Sequence, residues 1–362
     1  MGFIPQSSRG VPGAGAIGPT VDAVGRKQRL LVEAERAFEA LIRRRKRGRP
    51  PEHFRIVSYG GHGGREGVVV RGRVLDNPPP SEAVEGEGIG AAVRRSLGQF
   101  ATDELPGVPL RVAVGDAVLE TESDSEGYFR VELHPSVVGA PWEQGRVELR
   151  APYRGLEPGA RTKVAIRVPG PDARFGVISD VDDTIIETGV QRVGEMLLQT
   201  FAGSALTRTP FEGAPELYRD LADGDRNPVF YVSSSPWNLH AFLAAFLRHR
   251  DFPNGPLLLR DLIGNHDGRA RKHGRIEEIL RLHPQLSFVL IGDSGEQDPA
   301  IYADIVRSHP GRVRAVYIRE VRLDPGDGRV ERVTDGWDAD VPFVLAADSD
   351  AVRRHAVSVG LL

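Results

Sequence analysis

The chain has 362 residues, of which 40% are hydrophobic and 27% are charged, fractions typical of a soluble globular protein. At about 150 residues per domain, this length predicts two domains with additional segments. Cysteine is absent, which excludes disulfides, cysteine nucleophiles and cysteine-bound zinc or iron–sulfur clusters. The formal net charge is −3, which argues against a general nucleic-acid binder, so no nucleic-acid partner is expected.

The amino-terminal 50 residues differ in charge from the rest. They hold 11 basic and 4 acidic residues, a net charge of +7, which leaves −10 for residues 51–362. Residues 1–22 are rich in Gly, Pro and Ser and predict a disordered tail. Residues 23–50 combine apolar residues at helical spacing with a run of Arg and Lys, which predicts a basic amphipathic helix. Such a helix either contacts an anionic membrane peripherally or packs on its neighbour with a solvated basic end.

Secretion and membrane insertion have no support in the sequence. The amino terminus lacks a basic start followed by an apolar core, so it predicts no secretory signal. The longest uncharged stretch, 227–247, has a polar centre that contains Pro236, which argues against a transmembrane helix. We therefore expect a soluble, cytoplasmic protein, with residues 23–50 as the segment that would bring it to a membrane.

Residues 54–170 predict a small β-sandwich-like domain. Hydrophobic residues alternate with polar ones between clusters of Gly, Pro, Asp and Ser, as in short strands. Six strands are expected, at 68–75, 110–114, 117–121, 128–133, 147–150 and 163–168. Residues 76–107 predict an acidic insertion. The Gly-rich run 60–64 lacks the strand-before, helix-after context of a nucleotide-binding loop, so we interpret it as a structural turn.

Residues 172–362 predict an α/β domain, because apolar strands alternate with helical patterns. Strands are expected at 175–179, 228–232, 287–291 and 313–318, and helices at 192–202, 213–223, 236–248, 273–282, 298–307 and 348–359. The connections between these strands are long enough for helical crossovers. The sheet is therefore expected to be mostly parallel.

The first strand of this domain runs directly into three carboxylates, Asp180, Asp182 and Asp183. Open α/β sheets bind their ligands at the carboxyl ends of strands. Neighbouring like charges need a nearby cation or a shared proton. Because the cluster offers oxygen ligands without Cys or His, it predicts Mg²⁺ rather than zinc. For an isolated pair of aspartates, a solvated acidic turn would be the better interpretation.

Three further segments place polar residues at corresponding positions. Ser233 follows the second strand, Lys272 begins a helical run, and Asp293 and Asp298 follow the third strand. In this order the segments resemble the four motifs of the haloacid dehalogenase superfamily of phosphohydrolases. The interval from Asp293 to Asp298 is one residue longer than is common there.

The residues around these motifs resemble a narrower family. Asp-Val-Asp-Asp-Thr-Ile, Tyr-Val-Ser-Ser-Ser-Pro-Trp-Asn-Leu and Ile-Gly-Asp-Ser-Gly-Glu-Gln-Asp-Pro look like the actin-patch phosphatidate phosphatase family and its bacterial relatives. The resemblance covers about 175–345. It implies a Rossmann-like haloacid dehalogenase domain with a mostly parallel sheet, preceded by a β-rich domain similar to that of the bacterial relatives.

The resemblance also implies catalytic roles. Asp180 is expected to be the nucleophile that forms an aspartyl-phosphate. Asp182 is expected to protonate the leaving group and then to accept a proton from water. Lys272 is expected to hold phosphoryl oxygens as charge redistributes.

The remaining candidate residues are expected to bind the metal or the substrate. The implied Mg²⁺ ligands are Asp180, Asp182 through its backbone carbonyl, Asp293 and Asp298. The implied substrate-side residues are Ser233, Ser234 and Thr184, with Thr184 chiefly bracing the turn. Asp183 either accepts a hydrogen bond from one of these site residues, without contacting the substrate itself, or is solvated.

The sequence as a whole predicts a Mg²⁺-dependent phosphomonoester hydrolase acting on phosphatidate or a related phospholipid. Segments 185–228 and 234–271 are too short for a full cap domain, and an open site favours a substrate too large to enclose. A phosphoprotein or a nucleic-acid end is an alternative substrate. An inactive binding module with a phosphatase fold is an alternative of a different class.

Overall fold

The computed structural model describes residues 49–78, 103–182, 184–185, 211–260, 268–295, 297–320, 329–335, 337 and 340–362. The chain from Pro51 to Leu362 forms one compact unit. The predicted tail, almost all of the basic helix, the helix at 192–202, most of the acidic insertion and Asp183 lie outside the described residues. Among the residues described, no helix is long and apolar enough to cross a membrane.

The described part of the chain contains two β-sheets and six α-helices. The strands are β1 (Phe54–Gly64), β2 (Gly67–Asp76), β3 (Pro109–Val114), β4 (Ala117–Glu122), β5 (Tyr128–Leu133), β6 (Trp142–Leu149), β7 (Arg161–Arg167), β8 (Gly176–Ser179), β9 (Val229–Pro236), β10 (Leu257–Arg260), β11 (Phe288–Asp293), β12 (Val313–Arg319) and β13 (Phe343–Ala346). The helices are α1 (Ala214–Ala222), α2 (His240–His249), α3 (Gly268–Leu282), α4 (Asp298–Ser308), α5 (Arg329–Thr334) and α6 (Ser349–Ser358), and a 3-10 turn (Trp237–Leu239) precedes α2.

The first seven strands form one sheet in the order β4-β3-β6-β7-β1-β2-β5. Neighbouring strands pair antiparallel, except β1 and β7. Strands β4 and β5 at the two edges contact each other, so the sheet curls towards a barrel around an apolar core. The predicted two-layer sandwich is wrong in this respect. A single hydrogen-bonded sheet encloses the core, and alternation along the strands does not distinguish these two arrangements.

The Gly-rich run 60–64 is part of a strand and not the predicted turn. It forms the second half of β1 and pairs with β2 and β7. Gly60 has a φ of 82° and begins this half. A Cβ at Gly61 would lie 2.5 Å from the carbonyl oxygen of Val69, so the two backbones approach where no side chain fits.

The last six strands form a parallel sheet in the order β10-β9-β8-β11-β12-β13. The predicted α/β class and the mostly parallel sheet are confirmed, and β10 and β13 are additional strands. Val177 and Ile178 of β8 pack into different apolar clusters, so the central strand is covered on both faces. The chain leaves β8 through β9 to β10 and returns to β11 on the other side of β8. Such reversals of strand order are where open sheets bind ligands.

Helix α3 is attached to the antiparallel sheet through Glu278. This carboxylate accepts hydrogen bonds from Arg71 at 2.6 Å and from Arg130 at 2.8 Å, and it lies 3.2 Å from Nε2 of His62. We call these four residues the Glu278 cluster. Burial acts to raise the pKa of Glu278, but the hydrogen bond with His62 and the charge of Arg71 hold it well below its usual range.

The antiparallel sheet also contacts the segment that follows β9. The rings of Tyr59 and Trp237 stack with their centroids 4.7 Å apart. Arg73 donates a hydrogen bond to Oδ1 of Asn238 at 2.8 Å. The antiparallel sheet therefore contacts two parts of the α/β region, helix α3 and the end of β9.

Three histidines in these contact regions predict a loss of stability in acid. Burial lowers the pKa of His62 and His283, and it lowers the pKa of His240 to about 4. The unfolded chain binds protons below a pH of about 6.5 that these folded, neutral imidazoles do not bind. Stability is therefore lost as the pH falls through that value. For His240 alone we expect the free energy of unfolding to be about 2 kcal/mol lower at pH 5 than at pH 7.5.

Urea unfolding at the two pH values measures this loss. His240→Asn is expected to reduce the pH dependence, because the substituted side chain does not titrate. His249 is exposed at the end of α2, so His249→Asn is a matched control that should leave the dependence unchanged. Equal pH dependence in all three proteins would contradict the prediction.

Candidate active site

The four candidate segments meet at the carboxyl ends of neighbouring strands. Asp180 directly follows β8, Ser233 lies in the second half of β9, and Asp293 ends β11. Since β9, β8 and β11 are adjacent and parallel, their carboxyl ends lie side by side. The buried polar residues at this edge include Ser179, Asp180, Asp182, Thr184, Ser233, Ser235, Lys272, Asp293 and Asp298.

Lys272 provides positive charge inside this group of acids. Its Nζ lies 2.7 Å from Oδ1 of Asp180 and also contacts Oδ1 of Asp298. The lysine side chain is 2% exposed, so the ammonium group is shielded from water and interacts with carboxylates that are equally buried. Lys272 lies in the first half of α3, and the Glu278 cluster holds the second half.

Asp298 lies with the other acids despite the longer interval from Asp293. It is the first residue of α4, and its Oδ2 accepts a hydrogen bond from the backbone N–H of Asp293 at 3.4 Å. Asp180, Asp293 and Asp298 each offer a carboxylate oxygen, and these oxygens lie within 4.8 Å of one another. We call these three residues the acidic triad.

Asp182 faces the serine segment of β9. Its Oδ2 accepts hydrogen bonds from Ser233 Oγ at 2.7 Å and from Ser235 Oγ at 3.0 Å. The backbone N–H of Ser235 in turn donates to Ser233 Oγ at 2.8 Å. The two hydroxyl groups therefore fix the orientation of the Asp182 carboxyl group.

Ser235 is a site residue that the sequence reasoning missed. Residues two apart on a strand share a face, so Ser235 lies on the same side as Ser233, and Ser234 lies on the other. Ser234 is half-buried between two buried neighbours. The period of two would have identified Ser235 before the structure was known. Thr184 is buried, and its hydroxyl has no hydrogen-bond partner among the described residues.

Buried tyrosines support the strand ends that carry the acids. The hydroxyl oxygens of Tyr218 and Ser179 lie 2.5 Å apart, and the Tyr302 hydroxyl donates to the carbonyl oxygen of Ile291 at 3.0 Å. Burial raises the pKa of both tyrosines, so both hydroxyls stay protonated. These contacts hold the carboxyl ends of β8 and β11 in place.

Comparisons with known proteins agree with the motifs. Residues 175–320 match the family model described as the catalytic domain of phosphatidate phosphatase APP1. The chain is 33% identical over 151 residues to phosphatidate phosphatase APP1 of Saccharomyces cerevisiae, covering 40% of this chain and 26% of that protein. It is 32% identical over 164 residues to an uncharacterized protein of Schizosaccharomyces pombe, covering 41% and 26%. The predicted family resemblance is confirmed for this region, and the chain spans about a quarter of the length of these relatives.

Among solved structures, the chain is similar to a carbohydrate acetylesterase from Xanthomonas citri. The TM-score is 0.29 and the sequence identity is 10%, with 81% of this chain and 68% of that chain covered. A TM-score this low does not indicate a shared fold or a shared function.

Proposed function

We propose that this chain, with a segment matching a phosphatidate phosphatase catalytic domain, hydrolyses phosphomonoesters and acts on phosphatidate or a related phospholipid. The observation that carries the proposal is that Lys272 contacts two buried carboxylates, Asp180 and Asp298, at the point where the strand order reverses. A Rossmann-like, haloacid dehalogenase-type domain over 172–362, with a separate β-rich domain over 54–170, is part of the same proposal.

The reaction proceeds in two steps through Asp180. Its carboxylate oxygen attacks phosphorus, the bond from phosphorus to the alcohol oxygen breaks, and an aspartyl-phosphate forms. Asp182 gives a proton to the departing alcohol oxygen. It then takes a proton from the water that attacks the aspartyl-phosphate, which releases inorganic phosphate and restores Asp180. Ser233 and Ser235 support both steps because they orient Asp182.

Lys272 is suited to stabilise charge on the phosphoryl group. Its ammonium lies 2.7 Å from Asp180 Oδ1, so a phosphoryl group bonded to that carboxylate would be close to it. A buried cation acts more strongly on a transferring phosphoryl group than a solvated one does, because it is fixed in place and little water screens it.

The acidic triad fits Mg²⁺. Its three carboxylates are buried, and Lys272 supplies one positive charge against them. A hard divalent cation would offset the remaining negative charge and would match these oxygen donors. We assign the triad and the backbone carbonyl of Asp182 as the ligands. When bound, Mg²⁺ would supply Lewis-acid stabilisation of phosphoryl oxygens.

Gly292 is expected to be essential for the position of Asp298. A Cβ at Gly292 would lie 2.8 Å from both the Asp298 Cβ and Tyr302 Cε2, so Gly292→Ala must displace the acid. We expect roughly tenfold weaker Mg²⁺ binding by calorimetry, because the change misplaces one ligand of the triad. Gly274→Ala is the matched control, since a Cβ at Gly274 meets no atom within 4 Å. Equal Mg²⁺ affinity in both variants would remove Asp298 from the proposed metal site.

Asp182→Asn is expected to affect substrates according to their leaving groups. The amide cannot give a proton to the alcohol oxygen, so alkyl phosphates should lose most of their turnover. Nitrophenyl phosphate has a good leaving group and should still phosphorylate Asp180. Rapid-mixing measurements with both substrates separate the two cases. Equal losses for the two substrates would count against Asp182 as the proton donor.

The substrate is tested by a screen of the purified protein with Mg²⁺ against phosphatidate vesicles, soluble monoesters and phosphopeptides. Hydrolysis of phosphatidate is the expected result. Hydrolysis of phosphopeptides alone would assign a protein substrate, and no hydrolysis of any substrate would favour a binding module. A cytoplasmic location, with peripheral contact of residues 23–50 to anionic membranes, belongs to the proposal, and no nucleic-acid partner is expected.

A further inference from the structure

We propose that the outer face of the antiparallel sheet binds an anionic phospholipid surface, an inference that rests on the proposed lipid substrate. The centre of this face is a row of side chains across four neighbouring strands, which we call the basic row. Val118 of β4 pairs with Ala113 of β3, Ala113 with Arg146 of β6, and Arg146 with Lys163 of β7. Paired residues share a face of a sheet, so these four side chains lie on one side.

The next row of side chains on the same face provides a comparison, because its positive and negative charges balance. It consists of Glu120, Arg111, Glu148 and Arg161, with signs that alternate from strand to strand. Arg111 contacts Glu120 at 3.3 Å and Glu148 at 3.6 Å. This row is neutral as a whole, and its cross-strand neighbours attract each other.

The basic row has the opposite arrangement. Arg146 and Lys163 are direct cross-strand neighbours, and like charges in that position destabilise a sheet. Arg146 contacts Glu148 at 3.3 Å, but Glu148 is shared with Arg111. Within the part of the chain that the structure describes, neither Lys163 nor Arg161 forms an ion pair. An external anion would relieve this repulsion.

A groove of about 480 Å³ lies beside these cations. Arg146, Arg161 and Lys163 line it together with Ala113, whose side chain is a single methyl group, and with Gly115 and Gly145. The groove is therefore both cationic and shallowly accessible, which suits the phosphate of a lipid headgroup better than an enclosed metabolite.

Exposed valines lie at the rim of this groove. Val118, in the basic row itself, is 59% exposed, and Val137 is 78% exposed. Val137 adjoins the groove, because a Cβ at Gly115 would lie 3.2 Å from its carbonyl oxygen. Apolar side chains beside cations are the combination that binds the boundary between headgroups and acyl chains. This combination favours a lipid surface over a soluble polyanion.

The position of the basic row matters because residues 51–362 carry a net charge of −10. An acidic body is repelled by an anionic membrane, so attraction must come from a local basic surface. At physiological salt, charges more than about 8 Å apart are largely screened, and the local surface then dominates. The basic row would also attract the protein to an anionic membrane without a contribution from residues 1–50.

The test compares full-length variants in co-sedimentation with phosphatidylcholine vesicles that contain phosphatidylserine. Phosphatidylserine is not a phosphomonoester, so binding at the candidate active site does not contribute. Arg146→Gln with Lys163→Gln is expected to lower the partition coefficient on the order of 30-fold, from about fivefold per basic residue. Lys163→Gln alone is expected to lower it about fivefold. The matched control is Arg248→Gln with Arg354→Gln, exposed residues of α2 and α6 that change the net charge equally.

The expected pattern is weaker vesicle binding in the basic-row variants, unchanged binding in the control, and unchanged turnover of a soluble monoester in both. The melting temperature of the basic-row variants should equal or exceed that of the wild type, because a repulsion is removed. Equal vesicle binding by the basic-row variant and the control would overturn the inference, as would equal wild-type binding to pure phosphatidylcholine. Failure of the proposed function is a separate outcome, in which the wild type hydrolyses neither soluble monoesters nor phosphatidate, whatever it binds.

Discussion

Asp180→Asn is expected to lower phosphatase turnover on the order of 10³-fold or more, because the amide cannot act as the nucleophile. The fold should survive. Both Asp180 and Asp298 contact Lys272, so Asp298 remains to pair with the lysine. The measurement is steady-state hydrolysis of a soluble monoester, with thermal unfolding to verify the fold.

Asp350→Asn is the matched control, since Asp350 is exposed in the first turn of α6 and far from the acidic triad in sequence. Its turnover should equal that of the wild type. Transfer of labelled phosphate to the protein gives a second readout, which should be present in the wild type and lost in Asp180→Asn. Near-normal turnover in Asp180→Asn would show that the aspartyl-phosphate mechanism is wrong.

Glu278→Ala is expected to have the largest effect on stability, lowering the free energy of unfolding by about 2–4 kcal/mol. The Glu278 side chain is 12% exposed. Its carboxylate contacts the side chains of Arg71, which is 15% exposed, and His62, which is 1% exposed. Removing it leaves a largely buried arginine and a buried imidazole without their acceptor. The loss is at the lower end of values for buried pairs because Arg130 is half exposed and can be solvated.

The neighbouring residue provides a matched control for this prediction. Glu277 is also in α3, but it is 49% exposed, and its carboxylate lies near the side chains of His273 and His309. Glu277→Ala should change the stability by less than about 0.5 kcal/mol. Urea unfolding at pH 7.5 compares both variants with the wild type. Similar stabilities for the two variants would mean that the Glu278 cluster does not hold α3 to the antiparallel sheet.

Two kinds of pattern marked the strands that the sequence predicts correctly. Those of the antiparallel sheet show apolar residues alternating with polar ones, and those of the parallel sheet show strong apolar content. The strands at 175–179, 228–232, 287–291 and 313–318 are buried on both faces, so continuous apolar runs mark them. Strand β1 was not predicted. Most of its second half is glycine, which carries no side chain and so shows no hydrophobic period. The edge strands β10 and β13 were missed because four residues alone give a weak pattern, whereas the equally short β8 is also marked by the acids that follow it.

Most of the candidate site residues named from the sequence lie together at the strand ends in the structure. Open α/β sheets bind ligands at the carboxyl ends of their strands, so acids directly after apolar strands give a clear signal. The sequence does not show what orients these acids. The hydrogen bonds from Ser235 to Asp182 and the space that Gly292 leaves for Asp298 depend on the packing of separate segments. The attachment of α3 through Glu278 depends on long-range contacts that no local pattern encodes.

The pairing of β8 with β11 has a consequence for the order of folding. Ser179 pairs with Ile291, and the whole of β9, β10 and α3 lies between them in the chain. Antiparallel neighbours such as β3 and β4 are joined by a two-residue turn and can form within microseconds, whereas a long chain closure is slower. Asp180 and Asp293 come together only after that closure. During refolding, recovered activity should therefore appear after most of the β-structure signal, and enzyme turnover becomes a reporter of the final assembly step.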